Sequence, residues 1–258
     1  MNICLFEQSE LSKPLSFDDV RGNHIIKILH KKQGQSFTAG VIDGQSGTAL
    51  ITKIDDAARQ IFFEFKPTGD GKPLNPLKMI IGFPRPIQLR RLLRDLAALG
   101  VSEVHLTGTE LGEKSYMASD LAQPQAAWEL LREGTVQAGS THVPKVFVHK
   151  SLKDCLGSLS FDKLRNRRAE CKTLICLDNV NPACSLKDAV LPELVEGVEG
   201  PCNIVAAIGS ERGWTDKERA LLEEAGFIRC GMGQRIMRTE TAATVAGAII
   251  LNAMGVLN

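Results

Sequence analysis

The sequence predicts an α/β protein in two parts, a small β-barrel over residues 1–72 followed by a largely parallel α/β domain over residues 73–258. Three observations predict it. Up to residue 65 the chain consists of short, partly alternating apolar segments broken by turns, as strands with one buried face require. The stretch "KPTGDGKPLNPL" (66–77) then gathers Pro67, Gly69, Gly71, Pro73 and Pro76, a composition that marks a boundary. Beyond it, continuous apolar runs alternate with amphipathic stretches, the signature of a parallel sheet covered on both faces by helices.

In the first part, "QSFTAGVIDGQSGTALITKID" (35–55) carries turn signals at Asp43-Gly44 and again at Ser46-Gly47, and "RQIFFEF" supplies another strand. In the second part, "LKMIIGF" is a buried strand and "QLRRLLRDLAALGV" a helix. Leu89, Leu92, Leu93, Leu96 and Leu99 share one face of it, while Arg90, Arg91 and Arg94 take the other. A helix over 126–136, strands at "KVFVH", "TLICLDNV" and "NIVAAIG", a helix after Thr215, a short strand "FIRC" and a closing helix complete the alternation. The basic run "FDKLRNRRAECK" (161–172) and the acidic run "ELVEGVEG" (193–200) read as solvated loops.

Composition restricts the function classes. The formal net charge is +1, from 31 basic and 30 acidic residues, so a nucleic acid would have to be met by a local patch rather than by the field of the whole molecule. Seven cysteines without a C-x-x-C pair fit reduced thiols in a cytoplasmic protein better than a disulfide framework. No metal site is expected, because His24 and His30 stand isolated. The start "MNICLFEQSE" has no leader pattern and no apolar run reaches membrane-spanning length, so no membrane partner is expected.

Two loops carry the chemistry. In "IVAAIGSERGWTDKERALLEEAGF" (204–227) a buried strand runs into "GSERGW", and Thr215 with Glu218 forms a capping box that starts the next helix. A glycine-flanked loop at the carboxyl end of a parallel strand is where α/β proteins hold ligands. Neither the dinucleotide fingerprint nor a phosphate-gripping G-K-[ST] is present. The second loop, "GMGQRIMR" (231–238), precedes a helix that Thr239 can cap. Ala242, Ala243, Ala246, Gly247 and Ala248 leave that helix low enough for close approach by another backbone. Tight packing explains the alanines, but not Arg238 and Glu240 beside them. The pair suggests a cleft that holds a ligand by backbone amides with a charged group nearby, although a local salt bridge between Arg238 and Glu240 is the plainer alternative.

The strings "IGSERGWTDKE" and "MGQRIMRTETAA" resemble the two C-terminal motifs of the RsmE family, S-adenosylmethionine-dependent enzymes that methylate N3 of a uridine in 16S ribosomal RNA. "NHIIKILHKKQGQSF" is similar to the family's N-terminal segment in a PUA-like barrel, and "LAALGVSEV" to its helix-to-strand turn. The resemblance implies a SPOUT domain with a C-terminal trefoil knot, a homodimer, and a cofactor lying in the knot. It assigns the cofactor to Leu177 and Asp178, to Ile208, Gly209, Ser210, Glu211 and Gly213, and to Met232, Gly233, Ile236, Met237, Arg238, Thr239 and Thr241. The three glycines would let backbone amides reach the ligand. Where the family has Gly-Pro-Glu-Gly-Gly the chain has Gly209-Ser210-Glu211-Arg212-Gly213, and where it has Gly-Pro-Arg the chain has Gly233-Gln234-Arg235. A basic Gly-Arg-Asn-Arg is replaced by Gly139-Ser140-Thr141-His142, and a helix lysine by Asp95, which removes positive charge where RNA would bind.

On this reading Arg238 holds the uracil or its developing charge, and Glu240 orients Arg238 or accepts the N3 proton. Arg21, His24, Lys27, Lys31, Lys32 and Arg85 would meet the RNA, either 16S ribosomal RNA or the small ribosomal subunit. Two alternatives stand beside it: a non-catalytic RNA-binding or assembly factor on the same fold, and a related methyltransferase acting on another nucleotide.

Overall fold

The computed structural model describes residues 2–159, 172–190 and 203–257. They form two compact units, residues 1–73 with 132–143, and residues 74–131 with 144–258. The first takes in a segment, 132–143, that sequence order alone leaves with the second.

The first unit contains β1 (Cys4–Phe6), β2 (Leu15–Ser16), α1 (Val20–Asn23) running into a π-helical turn over His24–Ile28, β3 (Ser36–Val41), β4 (Ser46–Asp55) and β5 (Gln60–Gly69). They make a five-stranded sheet in the order β1-β3-β4-β5-β2, curled into a half-barrel. Phe6, Phe37, Ile51, Ile61 and Phe63 fill it, with Phe6 and Phe63 ring centroids 4.9 Å apart. The turn expected at Asp43-Gly44 forms: Asp43 takes a left-handed φ of 54° and the Gly44 amide donates to the Val41 carbonyl at 3.0 Å. The second expected turn, Ser46-Gly47, does not form. Those residues begin β4, and a Cβ on Gly47 would collide with the Lys66 carbonyl, so this glycine serves a close cross-strand approach at a register shift. The same pairing keeps Lys66–Gly69 in β5, although their composition reads as linker.

The segment 132–143 explains the replaced basic motif. Thr141 is fully buried, its hydroxyl donates to the Gly44 carbonyl at 2.7 Å, and its own carbonyl accepts from the Asp43 amide at 2.9 Å. A ring nitrogen of His142 lies 3.0 Å from the Asp70 carbonyl oxygen. These residues tie the first unit together.

The second unit follows as β6 (Asn75–Gly82), α2 (Pro86–Leu99), β7 (Val101–Thr107), α3 (Pro124–Ala138, whose last residues belong to the first unit), β8 (Lys145–His149), α4 (Leu152–Ser158) and β9 (Lys172–Leu177). After these come β10 (Cys184–Ser185), α5 (Leu186–Val190), β11 (Asn203–Ile208), α6 (Asp216–Glu224), β12 (Ile228–Gly231) and α7 (Thr239–Ala253). The strands form one parallel sheet in the order β10-β12-β9-β11-β6-β7-β8. Register sets Ile208 beside Leu177 and Leu177 beside Cys230. The loops leaving β9, β11 and β12 therefore emerge at one edge of the sheet. The knot implied by the resemblance depends in part on the course of residues 191–202, which lie outside the described residues, as do the acidic run and nearly all of the basic run.

Leu89, Leu92, Leu93 and Leu96 of α2 are buried as their spacing predicts, and Gly100 ends the helix at φ 70°. The small-residue face of α7 is used within the unit. Ala243, Ala246, Gly247 and Ile250 are buried, and a Cβ on Gly247 would stand 3.1 Å from Leu99 Cδ1 and 3.8 Å from Met79 Sδ. The close approach expected there from another backbone is made instead by side chains of the protein's own α2 and β6.

Candidate functional site

The three loops at the carboxyl edge of the sheet enclose a cavity of about 280 Å³. Leu177, Asp178, Ile208, Gly209, Ser210, Glu211, Gly213, Met232, Gly233, Ile236, Met237 and Thr239 line it. Arg238 and Thr241, assigned to the same cofactor, do not. Cavities at this position are the usual ligand sites of open parallel sheets.

Local chemistry explains the shape of the loops. The Gly213 amide donates to the Ser210 carbonyl at 2.8 Å and closes a turn in which Gly213 takes φ 75°. Gly233 takes φ 90° in the second loop, and a Cβ at either position would meet no atom within 4 Å. Their role is the left-handed backbone, which side chains rarely adopt, and without a Cβ the backbone itself faces the cavity. Gly209 differs: a Cβ there would stand 3.0 Å from the backbone of Gly213, so it lets the loop fold on itself. Gly82, at the end of β6, makes room in turn for the Gly209–Ser210 backbone.

Thr215 and Glu218 form the expected capping box. Thr239 does not cap α7: Arg238 occupies the N-cap position without a side-chain cap, and the Thr239 hydroxyl donates to the Gly209 carbonyl at 3.2 Å. That bond joins the two loops. Beneath them the buried Trp214 donates its indole N–H to the Leu177 carbonyl at 3.3 Å.

One important partner escapes the sequence reading. Arg219 of α6 donates through Nε to Asp178 Oδ2 at 2.6 Å, and both line the cavity. This bond raises the guanidinium pKa above its ordinary value, and Asp216 adds to it. A basic residue near a helix N-terminus opposes the helix dipole, and that mismatch is the signal that could have found it. Cys230 also faces the cavity, with its thiol pushed up to about 12 by burial and by Cys184.

Arg238 and Glu240 belong to an adjoining pocket of about 320 Å³, lined also by Arg85, Gln88, Glu211, Ile236 and Met237. Glu211, Ile236 and Met237 face both spaces. No salt bridge joins Arg238 to Glu240 among the described residues. Instead Glu240 Oε2 is buried without any hydrogen-bond partner. A buried acceptor left unpaired is unfavourable and rare, so the pocket holds an acceptor in want of a donor. Arg85, expected among the phosphate contacts, sits here, its Nε 3.4 Å from the Tyr116 hydroxyl.

The remaining RNA candidates lie in the first unit. Arg21 is not available to RNA: its guanidinium binds Glu10 at 2.7 Å, Asp19 at 2.8 Å and the Leu5 carbonyl at 2.8 Å, over the Phe6 ring. Lys27 and Lys32 are exposed. Lys31 and His24 line a cavity of about 350 Å³, and His24 Nε2 is buried without a hydrogen-bond partner.

A parallel sheet whose loops form a cavity at its carboxyl edge places the protein among α/β folds built to bind a small ligand there. The sequence profile of the RNA methyltransferase domain family matches residues 71–251. Ribosomal RNA small subunit methyltransferase E of Treponema pallidum is 41% identical, with 97% of this chain and 91% of the relative covered. Ribosomal RNA small subunit methyltransferase E 1 of Borreliella burgdorferi is 30% identical, with 97% of each covered. Among solved structures, ribosomal RNA small subunit methyltransferase E from Neisseria gonorrhoeae bound to S-adenosyl methionine has the same fold, with TM-score 0.72 and 22% identity over 98% of this chain and 97% of that one. The chain belongs to the RNA methyltransferases, and among them to the family of ribosomal RNA small subunit methyltransferase E. No described helix is long and apolar enough to cross a membrane.

Proposed function

We propose that this protein methylates N3 of a uridine in 16S ribosomal RNA, using S-adenosylmethionine. The observation that carries the reading is the unpartnered Glu240 Oε2, in a pocket that shares three lining residues with the loop-enclosed cavity. The names of the relatives support the RNA class.

The residues present suit the cofactor. The backbone of the glycine loops at Gly209 and Gly233 can approach an adenine edge or ribose, Leu177, Ile208 and Met232 offer apolar contact, and Asp178 with Arg219 offers charge to an amino-acid end. When bound, S-adenosylmethionine supplies an electrophilic methyl group. What the chain must do is align the base and remove one proton. N3 lies on the Watson–Crick edge, so the uridine enters unpaired and splayed from its stack. The N3–H satisfies Glu240 Oε2, which takes the proton. Arg238 and Arg85 face the negative charge that then develops on the uracil oxygens, and Gln88 has the amide groups to hold a carbonyl edge. We read the protein as cytoplasmic and as a homodimer, the latter supported by Ile236, 83% exposed beside the site, and Val245, 36% exposed on α7.

The test is single-turnover methyl transfer to 16S ribosomal RNA. Arg238→Ala should slow it by a factor on the order of a hundred with RNA affinity nearly kept, as for loss of one group acting in the transition state. Glu240→Gln should slow it while leaving S-adenosylmethionine affinity, read by calorimetry, unchanged. Parental rates in both variants would make these residues structural and the reading wrong.

A further inference from the structure

Away from the cleft, three metal-binding side chains that no sequence motif links come together where β7, β8 and α4 meet. The ligating atoms of His105, His149 and Cys155 all lie within 4.8 Å of one another. His105 Nδ1 stands 3.0 Å from His149 Nε2 with the rings almost coplanar, at 13°. His105 is 3% exposed and Cys155 fully buried, while His149 is half-buried. We propose that His105, His149 and Cys155 form a zinc-binding site that fastens the edge strand β8 and helix α4 to the sheet.

The surroundings orient the ligands for this task. His105 Nε2 lies 3.1 Å from Glu103 Oε2, and Glu103 is held by Lys78 Nζ at 2.9 Å. A carboxylate that takes the Nε2–H leaves Nδ1 with its lone pair toward His149 and Cys155, the arrangement by which carboxylates commonly fix metal-bound histidines. Cys155 is placed by the start of its helix: the Ser151 hydroxyl caps α4 by accepting from the Asp154 amide at 3.2 Å, which sets the cysteine one turn in, against the sheet. Its thiol has no hydrogen-bond partner among the described residues.

Thiolate with imidazole selects zinc or another borderline-soft ion over magnesium and calcium. Tetrahedral zinc with bonds of about 2.0–2.3 Å sets its ligand atoms roughly 3.3–3.6 Å apart, so the histidines need to part by a few tenths of an ångström while the widest pair of ligand atoms, within 4.8 Å, closes by up to about 1.2 Å. Binding replaces the hydrogen bond between the rings. Cys155 gives up its thiol proton to solvent, and the His149 ring proton moves to Nδ1 so that Nε2 can coordinate. Three protein ligands leave a fourth position for water, reached from the half-exposed His149 side.

The full chain, stripped with chelator and dialysed against Zn²⁺, should retain one equivalent by elemental analysis, and Co²⁺ in its place should give a thiolate-to-metal charge-transfer band. Cys155→Ala and His149→Ala should each lose the equivalent and the band. His149 is the more exposed of the two, so its removal keeps the comparison valid if the Cys155 variant misfolds. Chelator should lower the melting temperature of the native protein and leave the His149→Ala value unchanged. Zinc retained equally by native protein and His149→Ala, with an unchanged cobalt spectrum, would place the ion elsewhere, at Cys184 and Cys230 for example, and overturn the proposal. No retained zinc in the native protein would reduce the cluster to a hydrogen-bonded histidine pair and overturn it equally.

Discussion

Arg21 shows how far a residue's type can mislead about its role. In the sequence it stands in a basic run without acids, a candidate for phosphate. Folding brings Glu10 from eleven residues earlier and Asp19 from two residues earlier onto its guanidinium. Both carboxylates are thereby held below the usual carboxylate range, chiefly by hydrogen bonds from Arg21. A carboxylate with a lowered folded pKa stabilises the fold above its unfolded pKa, and that contribution is lost as pH falls through the folded value. Arg21→Ala should therefore destabilise the protein at neutral pH by about 2 kcal/mol, a buried-pair loss discounted for the partly exposed carboxylates. The gap between variant and native protein should stay full above about pH 4 and close on further acidification. Urea unfolding at a series of pH values measures both effects. Thr239 carries the same lesson with the opposite sign of surprise: read as a cap, it is the hydroxyl that joins the two site loops.

At the scale of elements, α7 was legible as a helix from its small residues and its closing position, but not what those residues touch. Gly247 is the test. Replacing a mid-helix glycine by alanine gains about 1 kcal/mol of helix propensity, while the added Cβ stands 3.1 Å from a movable Leu99 methyl. The two effects nearly offset, and Gly247→Ala should lie within about 0.5 kcal/mol of native. Gly247→Val adds branches that Leu99 and Met79 cannot both avoid and should destabilise by about 1–3 kcal/mol, read as a lower urea midpoint at unchanged slope. An α7 face free for another chain would instead tolerate both. Helix α2 was legible because a leucine stripe encodes its buried side, with Leu89, Leu92, Leu93 and Leu96 buried and only Leu99, at the last turn, left half-buried. Strand β4 was not, because Ser46-Gly47 is turn-like in composition and is held extended by β5.

For the whole molecule, a net charge of +1 leaves RNA affinity to a local patch. Lys27, Lys31 and Lys32 are among the cations of the first unit that have no ion pair among the described residues, in contrast to Arg21. Phosphate contacts contribute through counterion release, so the double variant Lys27→Ala with Lys31→Ala should weaken RNA binding and reduce its salt slope by about two. The methylation rate at saturating RNA should stay near native. Filter binding across a salt series and single-turnover assays separate the two quantities, and an unchanged slope would move the phosphate contacts to other residues.

The buried face of α2, the Thr215–Glu218 cap and the two glycine loops were readable from the chain because each is encoded within about fifteen consecutive residues, where periodicity and turn chemistry act, whereas the membership of 132–143 in the first unit was not. The family was readable from two such strings. What joins distant segments was not. The pairing of Asp178 with Arg219, the orphaned oxygen of Glu240 beside Arg85, the burial of Thr141 and the gathering of His105, His149 and Cys155 each depend on parallel register or helix packing across many tens of residues. Local sequence carries no term for such a meeting, and it is the burial of whole strands and helix faces that brings these side chains within bonding distance.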